Sequence, residues 1–120
     1  MRRAVPALLA VALLALPFAG CRSTMVDVTI ENHSGQNVHL LEVEYPSASF
    51  GANDLADGGH LRAHVQLRGT GLMKLQYEAP GSKTVHIDGP DLSEGQSGQL
   101  TVILLPAGTA SFTPRLSSHP

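Results

Sequence analysis

Apolar and polar residues alternate along most of the chain after residue 25, a pattern typical of β-strands with one buried face. In the first such segment, Val26, Val28 and Ile30 alternate with Asp27 and Thr29. Further short segments of this kind lie near residues 38–45, 60–68, 73–77, 85–87, 100–105 and 111–113. The clearest is 60–68, whose polar face consists of His60, Arg62, His64, Gln66 and Arg68.

These segments predict an all-β domain of about seven strands over residues 26–113, since no helical period interrupts them. A single antiparallel β-sandwich, immunoglobulin-like or transthyretin-like, fits the number and spacing of the strands. A small barrel is the alternative. The chain has no tryptophan and one cysteine, so it lacks the buried Trp and the cysteine pair of true immunoglobulin domains.

Three local features refine the prediction. The apolar phase slips between Leu40 and Leu41, which indicates a β-bulge or a strand that changes sheets. Residues 46–59 are predicted to be a long connection with Phe50 and Leu55 as anchors. Pro114 disfavours extension of the last strand, so residues 114–120 are predicted to be a C-terminal tail.

The N-terminal segment has a different pattern. Arg2 and Arg3 precede an uncharged run, residues 4–16, that contains no polar side chain and is followed by small residues at 19 and 20. This is the layout of a secretory signal peptide. The run is shorter than the roughly 20 apolar residues that a membrane span needs. The sequence therefore predicts a cleaved signal peptide over residues 1–20.

The single cysteine, Cys21, directly follows Phe18-Ala19-Gly20. This stretch resembles the lipobox of bacterial lipoproteins, with Phe18 in place of the usual leucine. The resemblance implies that the thiol of Cys21 receives a lipid and that cleavage follows Gly20. It also implies an outer-membrane location facing the periplasm, because Arg22 stands where an acidic residue would favour retention in the inner membrane.

A lipid on Cys21 would leave residues 21–25 as a tether between the membrane and the first strand. The four residues 22–25 span at most about 14 Å, so the domain would lie close to the membrane surface. Removal of Arg2 and Arg3 leaves six basic residues against ten acidic ones, a formal charge of −4 with neutral histidines. A mildly acidic domain without a Lys/Arg cluster is not expected to bind nucleic acid.

The chain contains six histidines, which raises the question of a metal site. On a β-strand, His60 and His64 would lie about 13 Å apart, too far to bind one ion, although His39 or His86 could approach from neighbouring strands. No spacing of Cys, His or Asp matches an established metal motif, and no catalytic motif is present. We therefore expect no metal, no cofactor and no enzymatic activity.

The polar face of residues 60–68 is the most informative candidate site. Its two arginines make it cationic in an acidic domain, which suits an acidic protein, a lipid headgroup or a cell-wall polymer. The alternative is an ordinary solvated sheet face. The sequence thus predicts a membrane-anchored, non-catalytic binding or scaffolding module of the bacterial cell envelope. A periplasmic metal-binding or metal-delivery protein that uses the surface histidines is the second hypothesis.

Overall fold

The computed structural model describes residues 24–118. The predicted signal peptide, Cys21 and residues 119–120 lie outside this range. The described part is built from eight strands and a one-turn 3₁₀ segment at Pro106–Gly108. The strands are β1 (Met25–Asn32), β2 (Val38–Tyr45), β3 (Ala48–Leu55), β4 (His60–Gln66), β5 (Gly71–Ala79), β6 (Lys83–Leu92), β7 (Gln96–Leu105) and β8 (Thr109–Ser118).

The strands form two separate four-stranded sheets, which confirms the predicted sandwich and excludes the small barrel. Sheet A has the order β4-β1-β7-β8 and sheet B the order β3-β2-β5-β6. Neighbouring strands are antiparallel except β1 and β7, which run parallel. None of the helical segments within residues 24–118 meets the length and apolarity that a membrane crossing requires.

The hydrophobic core lies between the two sheets, where the apolar positions of the alternating pattern meet. Sheet A contributes Val26, Val28, Ile30, Val65, Leu100, Val102 and Leu104. Sheet B contributes Val38, Leu41, Val43, Leu55, Met73, Leu75, Tyr77 and Leu92. Burial of each aliphatic side chain stabilises the fold by about 1.5–3 kcal/mol relative to exposure, so the period-two pattern is the main determinant of the sandwich.

The predicted irregularity in β2 is confirmed as a bulge. Between His39 and Glu42 the register with β5 shifts, so that β2 carries one extra residue. Leu40 adopts a left-handed backbone with φ of 51° and is 57% exposed. The bulge returns Leu41 to the core, because it moves the extra residue to the outside.

Residues 46–59, predicted to be a connection, instead contain strand β3. Its sequence of small and polar residues has low strand propensity, and β3 forms because its backbone pairs with β2 at the edge of sheet B. A side chain at Gly51 would collide with the carbonyl oxygen of Leu41. The predicted anchors are correct, since Leu55 is buried and Phe50 packs against the core.

The predicted end of the domain at residue 113 is also wrong. Strand β8 passes through Pro114 and continues to Ser118, so most of the predicted tail is part of sheet A. Both β8 and β6, which contains Pro90, are edge strands. An edge strand tolerates proline because the missing N–H can face away from the sheet.

The sandwich has two ends with different contents. We call the end where β1 begins the tether end and the opposite one the far end; about 25 Å of strand separates them. Four connections meet at the far end, at residues 33–37, 56–59, 80–82 and 106–108. Two of them are joined through Asn32, which is fully buried and whose side chain donates to the carbonyls of Gln36 and Leu55.

Candidate binding face on sheet A

Strand β4 places four of the five predicted site residues on the outer face of sheet A. His60, Arg62, His64 and Gln66 are exposed, whereas Val65 between them is buried. Arg68 follows two residues after the strand ends, is exposed, and donates from Nη2 to Oε1 of Gln66 at 3.0 Å. The structure therefore brings all five along one edge of sheet A, from the far end at His60 to the tether end at Arg68. We call them the β4 strip.

The neighbouring strand β1 changes the charge of the strip. Asp27 lies directly opposite His64, and its Oδ1 is 2.5 Å from Nδ1 of the imidazole. Glu31 lies opposite His60 and contacts Nε2 of His33 at 3.3 Å. Asp27 thus contacts a histidine of the strip and Glu31 contacts His33, and within residues 24–118 neither carboxylate forms an ion pair with an arginine of the strip.

Arg62 stands opposite Thr29, and no carboxylate of residues 24–118 forms an ion pair with it. Its neighbours enclose an open depression of about 600 Å³ on the outer face of sheet A. The depression is lined by Asp27, Val28, Thr29, Arg62, Ala63, His64, Gln99 and Thr101. The depression thus places a guanidinium, which carries five N–H donors, near the hydroxyl groups of Thr29 and Thr101, the amide of Gln99 and, at its His64 side, the carboxylate of Asp27.

Local sequence reasoning found Arg62 and His64 but missed the other polar groups of this depression. Thr29 comes from β1, whereas Gln99 and Thr101 come from β7, which pairs with β1 in parallel. Each occupies an outward position in its own strand, which the alternating pattern indicates. Only the order of the strands in the sheet, which the pattern does not encode, places them in the same depression as Arg62.

The outer face of sheet B has the opposite character. It carries Glu42, Glu44, Asp54, Glu78 and Asp88 against Lys74. A second cross-strand pair joins Nδ1 of His39 to Oδ1 of Asp54 at 2.5 Å on this face. Much of the acidic excess of the domain therefore lies on sheet B, and the guanidinium of Arg62 lies on the other side of the sandwich.

The arrangement of the two sheets also determines which histidines can lie close together. His39 on β2 and His86 on β6 belong to sheet B, whereas His60 and His64 belong to sheet A. The expectation that His39 or His86 could approach His60 and His64 is therefore wrong, because the core separates the two outer faces. Within residues 24–118, no group of three or more His, Cys, Asp or Glu side chains is arranged to hold a metal ion.

Comparison with known proteins bears on the fold alone. No protein-family model matches the sequence, and no curated protein matches it. Among solved structures, the chain is similar to the NMR structure of a protein from Eubacterium rectale, with a TM-score of 0.55 and 10% sequence identity. The match covers 80% of this chain and 95% of the other. At this identity the likeness supports the two-sheet sandwich fold.

Proposed function

We propose that this protein is a lipid-anchored, non-catalytic binding or scaffolding module of the bacterial cell envelope, and that the outer face of sheet A contacts its partner. The anchor is the lipid on Cys21, which would hold the tether end against the membrane, in the outer membrane facing the periplasm. The partner is an acidic envelope protein, a lipid headgroup or a cell-wall polymer. The lipobox supports the anchor, and the β4 strip supports the contact face.

The observation that carries the contact face is the position of Arg62. Its guanidinium forms no ion pair within residues 24–118 and lies in a depression lined by Thr29, Gln99 and Thr101. Asp27, the carboxylate in the same lining, contacts His64. Strand-borne groups are held by the sheet, so little ordering is needed when a partner binds. Arginine is also the cation best suited to carboxylate and phosphate, because its planar fork donates two parallel hydrogen bonds.

Charge reversal tests the contact face. A variant with Arg62→Glu and Arg68→Glu should keep its fold, since both side chains are exposed, and should lose chemical crosslinking to its partner in native envelopes. The variant with Lys74→Glu, Gln76→Glu and Asn53→Asp is the matched control, because it makes the same change in net charge at exposed positions of sheet B. Crosslinking by the parent protein should weaken with salt, which screens exposed charges.

The anchor is tested separately by mass spectrometry of the membrane form. The chain should begin at an acylated Cys21. A Cys21→Ser variant would lack the acyl chains, two or more of which stable anchoring requires, so it should leave the membrane fraction. An intact Met1, or unchanged membrane localisation of the Cys21→Ser protein, would contradict lipidation. Either outcome leaves the test of the contact face intact.

Metal binding remains the second candidate function, and the two cross-strand pairs His64–Asp27 and His39–Asp54 are the observation in its favour. Each pair offers one imidazole and one carboxylate, so a partner would have to complete the coordination. Titration with copper and zinc distinguishes the two functions. Under the preferred function no tight stoichiometric site appears, whereas a one-to-one site abolished by His39→Ala or His64→Ala would favour metal delivery.

A further inference from the structure

A second cavity lies at the far end of the sandwich, and no residue of the β4 strip lines it. It has a volume of about 490 Å³ and is formed where the loop after β1, the β5–β6 hairpin and the 3₁₀ turn between β7 and β8 meet. Its apolar wall includes Val38, Ala79, Val85 and Leu105, drawn from both sheets. The cavity therefore opens directly over one end of the hydrophobic core.

A buried tyrosine, Tyr77, lines this cavity and is only 3% exposed. Its hydroxyl makes no hydrogen bond within residues 24–118, and burial raises the pKa of the phenol above its usual value. A ligand in the cavity that accepts a hydrogen bond from the Tyr77 hydroxyl would satisfy this donor.

The charge of the cavity is the reverse of that of the domain. Among residues 24–118, Lys83 is the sole charged residue in the lining, and it forms no ion pair within this range. None of the chain's ten acidic residues, all of which lie in the described part, lines the cavity. An anion in the cavity would thus meet an ammonium and a phenolic donor without facing a like charge.

The frame of the cavity is fixed by local structure. Ala107 and Gly108 have left-handed backbones with φ of 65° and 72°, and a Cβ added to Gly108 would lie 3.4 Å from Cγ1 of Val85. On the other side, the hydroxyl of Ser34 donates to Oδ1 of Asn32 at 2.7 Å. A preformed cavity reduces the ordering cost of binding a small ligand.

We propose that this far-end cavity binds a small carboxylate with an apolar body. The carboxylate would accept hydrogen bonds from the Tyr77 hydroxyl and the Lys83 ammonium, and the apolar body would contact Val38, Val85 and Leu105. Free aliphatic carboxylates and the C-termini of apolar peptides share this chemistry. The site is distinct from the β4 strip and does not depend on the lipid anchor.

The test is an NMR titration of a chain that starts at Arg22. This chain retains all eight strands and the whole described core, and a β-sheet circular dichroism spectrum with a cooperative melt verifies its fold before titration. The probes are octanoate, 1-octanol, acetate, and an N-acetylated apolar tripeptide with a free or an amidated C-terminus. Octanoate or the free-acid peptide should give saturable shifts at the amides of Tyr77, Lys83, Val85 and Ala107.

Removal of either recognition group should weaken binding of the carboxylate probe about tenfold, as expected for a hydrogen bond to a charged group. Tyr77→Phe and Lys83→Gln are the test variants, and Tyr45→Phe and Lys74→Gln are matched controls that should bind like the parent. Octanol, acetate and the amidated peptide should bind at least about tenfold more weakly.

If octanoate binds more tightly than the free-acid peptide, the natural carboxylate is a free aliphatic acid. If the peptide binds more tightly, it is a peptide C-terminus. The proposal is overturned if neither saturates, if octanol binds as well as octanoate, or if Tyr77→Phe and Lys83→Gln both bind like the parent. Because Tyr77→Phe removes an unpaired hydroxyl and keeps the ring, a loss of binding in that variant is not explained by unfolding.

Discussion

Replacement of Asn32 by alanine should be one of the most destabilising changes of a polar residue in this domain. The side chain is fully buried at the end of β1. Its amide donates to the carbonyls of Gln36 at 2.8 Å and Leu55 at 3.0 Å. Its Oδ1 accepts from the backbone N–H of Ser34 at 3.0 Å and from the Ser34 hydroxyl at 2.7 Å. Asn32 thereby joins the β1–β2 loop to the end of β3.

The magnitude follows from these four bonds. A net contribution of about 1 kcal/mol for each gives an upper figure of about 4 kcal/mol. Water can replace the bonds to Ser34 and Gln36, which are partly exposed, but not the bond to Leu55, which is buried. The loss in Asn32→Ala should therefore be about 3 kcal/mol, a large share of the roughly 5–15 kcal/mol of a small domain.

Urea or thermal denaturation followed by circular dichroism measures the loss. A change of about 3 kcal/mol corresponds to a fall in Tm of more than about 10 °C for a domain of this size. Asn53→Ala, the same substitution at an exposed position of β3, is the control and should stay within about 0.5 kcal/mol of the parent. A loss under about 1 kcal/mol in Asn32→Ala would show that the far-end loops are not held by this side chain.

Three further predictions concern the core, the bulge and the buried phenol. Val65→Asp places a carboxylate in the core and should lower the free energy of unfolding by several kcal/mol, whereas Gln66→Asp on the outer face should melt like the parent. Equal melting temperatures of the two variants would contradict the assigned strand phase. Leu40→Asn should stabilise the fold by roughly 0.5–1 kcal/mol, because asparagine tolerates the left-handed backbone better than leucine. Leu72→Asn, at an exposed leucine without positive φ, should not raise the free energy of unfolding. Burial raises the pKa of the Tyr77 phenol above the ordinary value of 10.0. The contribution of this residue to stability is therefore fully present below pH 10 and is lost as the pH rises through the folded-state pKa. In urea melts at alkaline pH, Tyr77→Phe should reduce this loss of stability and Tyr45→Phe should not.

The fold was predictable wherever a strand carries its own alternating pattern. Strand β4 shows this best, because Val65 is buried and Arg62 exposed as the period-two pattern requires. Strand β3 was not predictable, since its small and polar residues favour a loop and its pairing with β2 overrides that preference. The length of β8 was missed for a related reason, because proline is tolerated on an edge strand.

The candidate site was predictable only in its local part. The β4 strip follows from one strand, whereas its context depends on pairing across the sheet, with Asp27 and His64 separated by 37 positions in the sequence. The pairing of His64 with Asp27 reduces the positive charge that the sequence assigns to the strip. The far-end cavity forms where three connections meet, which the sequence pattern does not indicate. In the sequence, Tyr77 occupies a core position like others in its strand.

Site-specific photocrosslinking in living cells tests the central claim most directly, that the outer face of sheet A contacts an envelope partner. A photoreactive residue replaces Gln99, which lines the depression beside Arg62, or Gln76, which lies on the outer face of sheet B. We expect a discrete crosslinked product from position 99, none from position 76, and loss of the product when Arg62→Glu is added. Equal products from both positions, or a product at 99 that survives Arg62→Glu, would contradict the account.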